Sequence, residues 1–141
     1  MKSKGQIIEI KEVSGVTIGK SSATYDGYRV ELDTGIVIQL LIDNRQNCCE
    51  TWGYLYTPDP ISTFLFADVY SWEDKTTPIA VDAVANELDI SNKIVPSTAQ
   101  FITFNTSVGE LTFAVYNVHN GFYSHGAKLI INGEVEDEWY L

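Results

Sequence analysis

Two short segments hold most of the side chains that could do chemistry. Residues 47–54 read NCCETWGY and combine both cysteines of the chain with a carboxylate and two aromatic rings. Residues 115–126 read VYNVHNGFYSHG and contain both histidines. Such residues can bind a metal, act as a nucleophile or bind a small ligand, and each use requires a different spacing.

The cysteine pair Cys48-Cys49 does not have the spacing of a zinc site. Structural zinc takes four thiolate or imidazole ligands, with cysteines typically two to four residues apart. Adjacent side chains on a strand point to opposite faces, so one ion is poorly placed to bind both. We expect no metal and no cofactor.

A cysteine nucleophile would need a base, an orienting group and an oxyanion hole. His119 or His125 could serve as the base, with Asn117 or Asn120 as the orienting group, but nothing in the spacing brings these residues together. Free cysteines commonly pack as small apolar residues. We therefore expect no catalytic residues and no enzyme, with a small hydrolase using His119 or His125 as the third interpretation.

The second segment suits a ligand-recognition surface. Aromatic rings stack on planar groups, amides read their edges, and imidazoles contact anions. A simpler alternative is a hairpin tip, since Asn120-Gly121 is typical of a type I′ turn. The predicted ligand-binding set comprises stacking residues Trp52, Tyr54, Tyr116 and Tyr123, polar residues Glu50, Asn117 and Asn120, and anion-contacting residues Arg45, His119 and His125.

The elements that must position these residues are mostly strands. Residues 28–43 form two apolar runs around Asp33-Thr34-Gly35, which predicts a hairpin. A second hairpin is predicted around Val108-Gly109-Glu110, and Asn132-Gly133 predicts a turn between the last two strands. Residues 61–74 could form a strand, or a short helical turn that enters one.

One window, residues 77–91, has apolar residues at helical spacing and an early proline, which predicts a short helix near residues 79–90. The predicted fold class is α+β with mostly antiparallel β structure. We expect one compact domain over residues 1–141, built as a single sheet or half-barrel. At this length a chain buries roughly two thirds of its unfolded surface.

The net charge of −10 excludes several partners. An acidic protein repels phosphate backbones and anionic membranes, so we expect neither nucleic-acid nor membrane binding. No export signal follows the opening MKSKGQIIEI, which indicates a cytoplasmic protein. The acidity serves solubility or provides a face for a basic partner. A homodimer would hide an exposed sheet edge.

The pair NCCETWGY and YNVHNGFYSHGAKLI resembles a small uncharacterised domain family of phages, prophages and Gram-positive bacteria. Its segments read Cys-Cys-Glu-x-Trp-Gly-Tyr and Tyr-Asn-x-His-Asn-Gly-Tyr-Tyr-x-His, so Phe122 stands where that family has tyrosine. The match covers roughly residues 30–141 and implies a phage context without assigned catalytic residues.

That context implies an anti-defence protein that sequesters a cyclic or NAD-derived nucleotide immune signal without chemistry. The protein would then act in the cytoplasm of an infected or prophage-carrying cell. The alternative is an acidic inhibitor that binds a host defence protein directly.

Overall fold

The computed structural model describes residues 2–45, 50–57, 60–78, 97–119 and 126–141. Within these ranges the chain forms nine strands and one turn of 3-10 helix. The elements are β1 Ile7–Thr17, β2 Thr24–Leu32, β3 Val37–Asp43, β4 Glu50–Thr57, the 3-10 turn Ile61–Phe64, β5 Val69–Pro78, β6 Ser97–Thr106, β7 Gly109–His119, β8 Gly126–Ile131 and β9 Glu134–Tyr140.

The strands form two antiparallel sheets that pack face to face. Sheet 1 has the order β1-β2-β3-β8-β9, and sheet 2 has the order β4-β7-β6-β5. Alternate residues of both sheets point into one shared core, as expected for a sandwich. The buried residues are Tyr28, Val30, Leu32, Ile38, Leu40 and Ile42 from sheet 1, and Ile102, Phe104, Leu111, Phe113 and Val115 from sheet 2.

The predicted antiparallel β structure is confirmed, but two other parts of the fold prediction need correction. The strands divide into two sheets because one sheet would leave its apolar face exposed to water, whereas two sheets cover each other. Among the described residues, the helical structure is limited to the 3-10 turn, so the α part of α+β is not matched. The helix predicted near residues 79–90 lies outside the described residues.

The predicted turns agree well with the structure. The hairpin of β2 and β3 turns at residues 33–36, where Gly35 has φ 92°. Asn132 and Gly133 both have positive φ, at 53° and 82°, as a type I′ turn requires. The turn between β6 and β7 is shifted slightly, because Thr106 pairs with Gly109 and leaves residues 107–108 at its tip. A helical turn does precede β5, as one of the two alternatives for this segment predicted.

Residues 4–7 and 66–69 form a seam that joins the two sheets along one side. Lys4 N donates to Val69 O at 2.7 Å, and Val69 N donates to Gly5 O at 2.9 Å. The seam continues as Ile7 N donates to Ala67 O and Phe66 N donates to Ile7 O. The two described sheets are joined on this side without closing into a barrel.

Candidate functional site

One end of the sandwich gathers four connections of six or more residues. In sheet 1, Thr17 pairs with Thr24, Tyr25 with Asp43, and Gly126 with Tyr140 at this end. In sheet 2, Glu50 pairs with His119 at the corresponding end. The connections 18–23, 44–49, 79–96 and 120–125 therefore all start and finish here. We call it the loop-rich end. The opposite end has the short turns 33–36, 107–108 and 132–133, together with the longer connection from β4 to β5, residues 58–68.

The described parts of the two segments singled out in the sequence, residues 50–54 and 115–119, lie on adjacent strands at the loop-rich end. Strand β4 pairs with β7 along its whole length, so that Glu50 lies opposite His119 and Trp52 lies opposite Asn117. Residues directly opposite in an antiparallel pair share a face of the sheet. Trp52 and Asn117 therefore share the inner face, the side that meets sheet 1.

Tyr116 lies on the other face of sheet 2, so the structure does not bring it together with Trp52 and Tyr54, the other described residues of the predicted stacking set. Side chains alternate along a strand, so Tyr116 cannot share a face with its neighbour Asn117. Its ring covers Gly53, where an added Cβ would lie 2.8 Å from the Tyr116 Cζ. Tyr116 is only 8% exposed, and burial raises the pKa of its hydroxyl.

Tyr54 and Trp52 are half-buried at the margin of the core. The Tyr54 ring meets the Tyr28 ring of sheet 1 edge to face, with centroids 5.2 Å apart and an interplanar angle of 88°. Burial raises the pKa of Tyr54, and the carboxylates of Glu12 and Asp26 raise it further. Part of the ring surface of Trp52 and of Tyr54 is thus already in contact with the core between the two sheets.

Asn117 is fully buried and only half satisfied. Its Nδ2 donates to the backbone oxygen of Leu141 at 3.1 Å, while its Oδ1 has no hydrogen-bond partner among the residues that the structure describes. A buried acceptor without a donor typically costs about 1–3 kcal/mol. The inner face therefore holds an amide oxygen that can accept a hydrogen bond near the loop-rich end.

A surface hollow of about 280 Å³ lies where β2 begins and β3 ends. Its lining consists of Ser21, Ser22, Ala23, Thr24, Asp43, Asn44 and Arg45. The Arg45 side chain is 74% exposed, and its guanidinium lies 3.6 Å from the Asp43 carboxylate. Arg45 is thus the predicted anion-contacting residue that the structure places in a hollow.

Sequence reasoning missed the polar network beneath this hollow. Asp26 Oδ1 accepts hydrogen bonds at 3.0 Å from Ser14 Oγ, from the Gly15 backbone N–H and from Asn44 Nδ2. Asn44 Oδ1 in turn accepts a hydrogen bond from Thr24 Oγ1 at 2.8 Å. The available signal was the polar run Asp43-Asn44-Arg45 directly after the apolar residues of β3.

Three predicted ligand-binding residues, Asn120, Tyr123 and His125, lie outside the described part of the chain, as do the two cysteines Cys48 and Cys49, which were expected to pack. Glu50 and His119 are placed by the β4–β7 ladder, as backbone positions opposite each other. Among the residues that the structure does describe, no group of three or more His, Cys, Asp or Glu could hold a metal ion.

No curated protein and no solved structure matches the chain. In the described ranges, none of the helical structure has the length and apolar character needed to cross a membrane. The phage or Gram-positive origin and the two family motifs implied by the resemblance stay predictions. A family model described as a domain of unknown function, DUF7448, matches residues 4–129, and the chain therefore belongs to this family.

Proposed function

We propose that this protein is a small-ligand-binding module that captures a cyclic or NAD-derived nucleotide signal at its loop-rich end and leaves it unchanged. In this proposal it is a phage-encoded anti-defence protein of the bacterial cytoplasm. The observation that carries the proposal is the convergence of segments 50–54 and 115–119 on adjacent strands beside four long connections. Binding residues on loops held by a rigid sheet are a common arrangement.

The chemistry of this end suits a ligand with a planar group and several polar edges. Trp52 and Tyr54 keep part of their surface accessible, which leaves aromatic area for stacking. The buried Oδ1 of Asn117 can accept a hydrogen bond from a donor that reaches the interior. Arg45 offers a largely exposed guanidinium for a phosphate, a group it binds in a planar, bidentate manner.

The nearby carboxylates are held by donors, which lowers their repulsion of an anionic ligand. Asp26 accepts three hydrogen bonds, and Asp43 lies beside Arg45. Their charge still disfavours a ligand with many phosphates. The proposal therefore favours nucleotides of low charge, such as cyclic monophosphates or cyclic ADP-ribose derivatives.

The direct test is depletion of ligand from solution. Purified protein is incubated with a panel of cyclic and NAD-derived nucleotides, separated from the solution, and heated to release what it holds. Chromatography should recover an intact nucleotide. A chemically changed product would point to an enzyme, and no depletion across the panel would contradict the proposal.

Trp52→Ala tests the location of the site, and Trp72→Ala is its matched control. Both tryptophans are partly buried residues of sheet 2 that pack on the same core. Trp72 pairs with Phe104 in β6, toward the opposite end. We expect Trp52→Ala to lower ligand depletion at least several-fold while Trp72→Ala leaves it near the wild-type level. Equal depletion by both variants would place the ligand elsewhere.

A second candidate function is binding to a basic protein partner through β9. This edge strand carries the carboxylates of Glu134, Glu136, Asp137 and Glu138, and the side chain of Tyr140 is 80% exposed. Charged residues also protect edge strands from aggregation, so this feature serves either purpose.

The two roles of β9 separate in a binding assay against host defence proteins. The variant Glu134→Gln/Glu136→Gln should lose partner binding and its salt dependence if the edge is an interface. Its control is Glu73→Gln/Asp74→Asn, which removes two exposed charges from β5. Equal binding by both variants would leave β9 with a protective role only.

A further inference from the structure

The hollow beside the start of β2 has the size of a single sugar ring. Its volume of about 280 Å³ would hold about nine water molecules at ~30 Å³ each. Pockets for drug-sized ligands start at about 300 Å³. The hollow therefore accommodates one compact group of a larger ligand, or a monosaccharide.

The lining is nearly neutral although the protein is strongly acidic. Asp43 and Arg45 are the charged members of the lining, and their opposite charges lie 3.6 Å apart. The other lining groups are the hydroxyls of serine and threonine, an asparagine amide and the methyl group of Ala23. Such a lining suits a neutral group that both donates and accepts hydrogen bonds.

The contacts among the described residues leave Asp43 able to accept further hydrogen bonds. Its side chain is 10% exposed, and its Oδ1 accepts a hydrogen bond from Arg45 N at 2.8 Å. The Oδ2 lies 3.6 Å from the guanidinium, which is too far for a hydrogen bond. An ionised carboxylate has about four acceptor positions, and Asp43 lines the hollow, so its Oδ2 can accept from a ligand hydroxyl.

The wall of the hollow is fixed before any ligand arrives. Asn44 N donates to Thr24 O at 3.1 Å, and Thr24 Oγ1 donates to Asn44 Oδ1 at 2.8 Å. Asn44 Nδ2 is bonded to Asp26 at 3.0 Å. A preformed wall reduces the entropy lost on binding.

We propose that this hollow binds a vicinal diol, the two neighbouring hydroxyls of a ribose. One hydroxyl donates to Asp43 Oδ2, and the oxygen of the other accepts from an Arg45 N–H. Ala23 offers an apolar contact for the C–H side of the ring. This diol site adds detail to the proposed function. It rests on the proposed function only for the statement that the ribose belongs to a nucleotide.

The test uses a ribose fragment and the intact protein. Protein labelled with ¹⁵N is titrated with methyl β-D-ribofuranoside and, separately, with its 2-deoxy counterpart, which lacks the diol. We expect amide shifts confined to residues 21–24 and 43–45 with the first sugar and much weaker shifts with the second. No shifts in these residues, or equal shifts with both sugars, would overturn the inference.

The variant Asp43→Asn tests the role of the carboxylate directly, and Asp33→Asn is its control. The asparagine oxygen can still accept from Arg45 N, but a donor amide replaces Oδ2, so affinity for the ribofuranoside should fall about tenfold. Asp33 also accepts a backbone N–H, that of Gln6, but lies at the opposite end. Asp33→Asn should bind the sugar like the wild type, and the spectra of both variants report whether they fold.

The outcomes separate the inference from the proposed function. If the ribofuranoside binds in the hollow and no nucleotide of the panel is depleted, the diol site stands and the nucleotide proposal fails. If a nucleotide is captured equally by the wild type and by Asp43→Asn, the nucleotide proposal stands and the diol site fails.

Discussion

Gly53 determines where the ring of Tyr116 lies. The two residues are directly opposite in the β4–β7 ladder, and the absence of a side chain at Gly53 lets the ring lie across the strand. An added Cβ would lie 2.8 Å from Cζ and closer still to the hydroxyl oxygen. Tyr116 is buried, so its ring cannot move freely out of the way.

Gly53→Ala should therefore destabilise the protein, although alanine is normally the better residue in a strand. We expect the free energy of unfolding to fall by about 1–3 kcal/mol, the usual cost of overpacking. Urea denaturation measures this change. In the double variant Gly53→Ala/Tyr116→Ala, compared with Tyr116→Ala alone, the cost of the added methyl group should largely disappear. A Gly53→Ala protein that is more stable than the wild type would contradict the explanation.

Residue types in the site were readable from the sequence, whereas their orientation was not. The spacing of Trp52 and Tyr54 placed them on one side of a strand, and both contact the same core cluster. Whether Tyr116 or Asn117 shares a face with Trp52 depends on the register between β4 and β7, which local sequence patterns do not determine. The role of Asn117 was also hidden, because its partner Leu141 lies 24 residues away.

At the level of elements, the β8–β9 hairpin is anchored by its own turn. Asn132 adopts φ 53°, a conformation that asparagine tolerates better than most residues. Its Oδ1 accepts a hydrogen bond from Val37 N at 2.8 Å, and its own N–H donates to Val37 O at 2.9 Å. The turn thus fixes the hairpin against the start of β3.

Asn132→Ala should loosen the outer strands of sheet 1. The substitution removes the side-chain hydrogen bond and places alanine in a left-handed conformation, a combined cost of about 2 kcal/mol. Asn132→Asp is the matched control, since it keeps the acceptor oxygen and tolerates this conformation. Hydrogen exchange should quicken in β8 and β9 for Asn132→Ala only. Equal protection in both variants would show that the turn contributes little.

The hairpins were predictable because each depends on residues close together in the chain. Asp33-Thr34-Gly35 and Asn132-Gly133 specify their turns through local backbone preferences. The division into two sheets depends on which distant strands pair, such as β3 with β8 and β4 with β7. Local preferences carry no information on such pairs.

For the whole molecule, the contact between the sheets centres on Tyr28. Its ring lies 4.9 Å from that of Phe113 and 5.7 Å from that of Tyr56, with Tyr54 at similar distance. Burial raises the pKa of Tyr28 strongly, and the Glu12 carboxylate raises it further. The folded protein therefore holds this hydroxyl proton at a pH at which the unfolded chain has lost it.

Stability should consequently fall as the pH rises above 10, the ordinary pKa of tyrosine. The contribution of the buried hydroxyls is complete below that value, and Tyr54 and Tyr116 act in the same direction because their pKa values are also raised. Urea midpoints measured between about pH 9 and pH 11.5 test this expectation.

Tyr28→Phe should make the alkaline loss of stability shallower, because the ring is kept and the ionisable hydroxyl is removed. Tyr140→Phe is the control, since that side chain is 80% exposed. If the Tyr28→Phe profile follows the wild type, Tyr28 is not a main contributor to alkaline unfolding.

The seam between residues 4–7 and 66–69 affects the order in which the molecule can assemble. The side chains of Ser3 and Asp68, bonded beside it, are 65 residues apart, so almost half of the chain must leave the ribosome before this side can close. Until then, the first residues of β1 have their partner in β2 but none from sheet 2. Ile7, fully buried in the folded protein, stays accessible to water and to other chains during that interval. Covering the exposed start of β1 during synthesis, for example by a chaperone, should therefore raise the yield of folded protein.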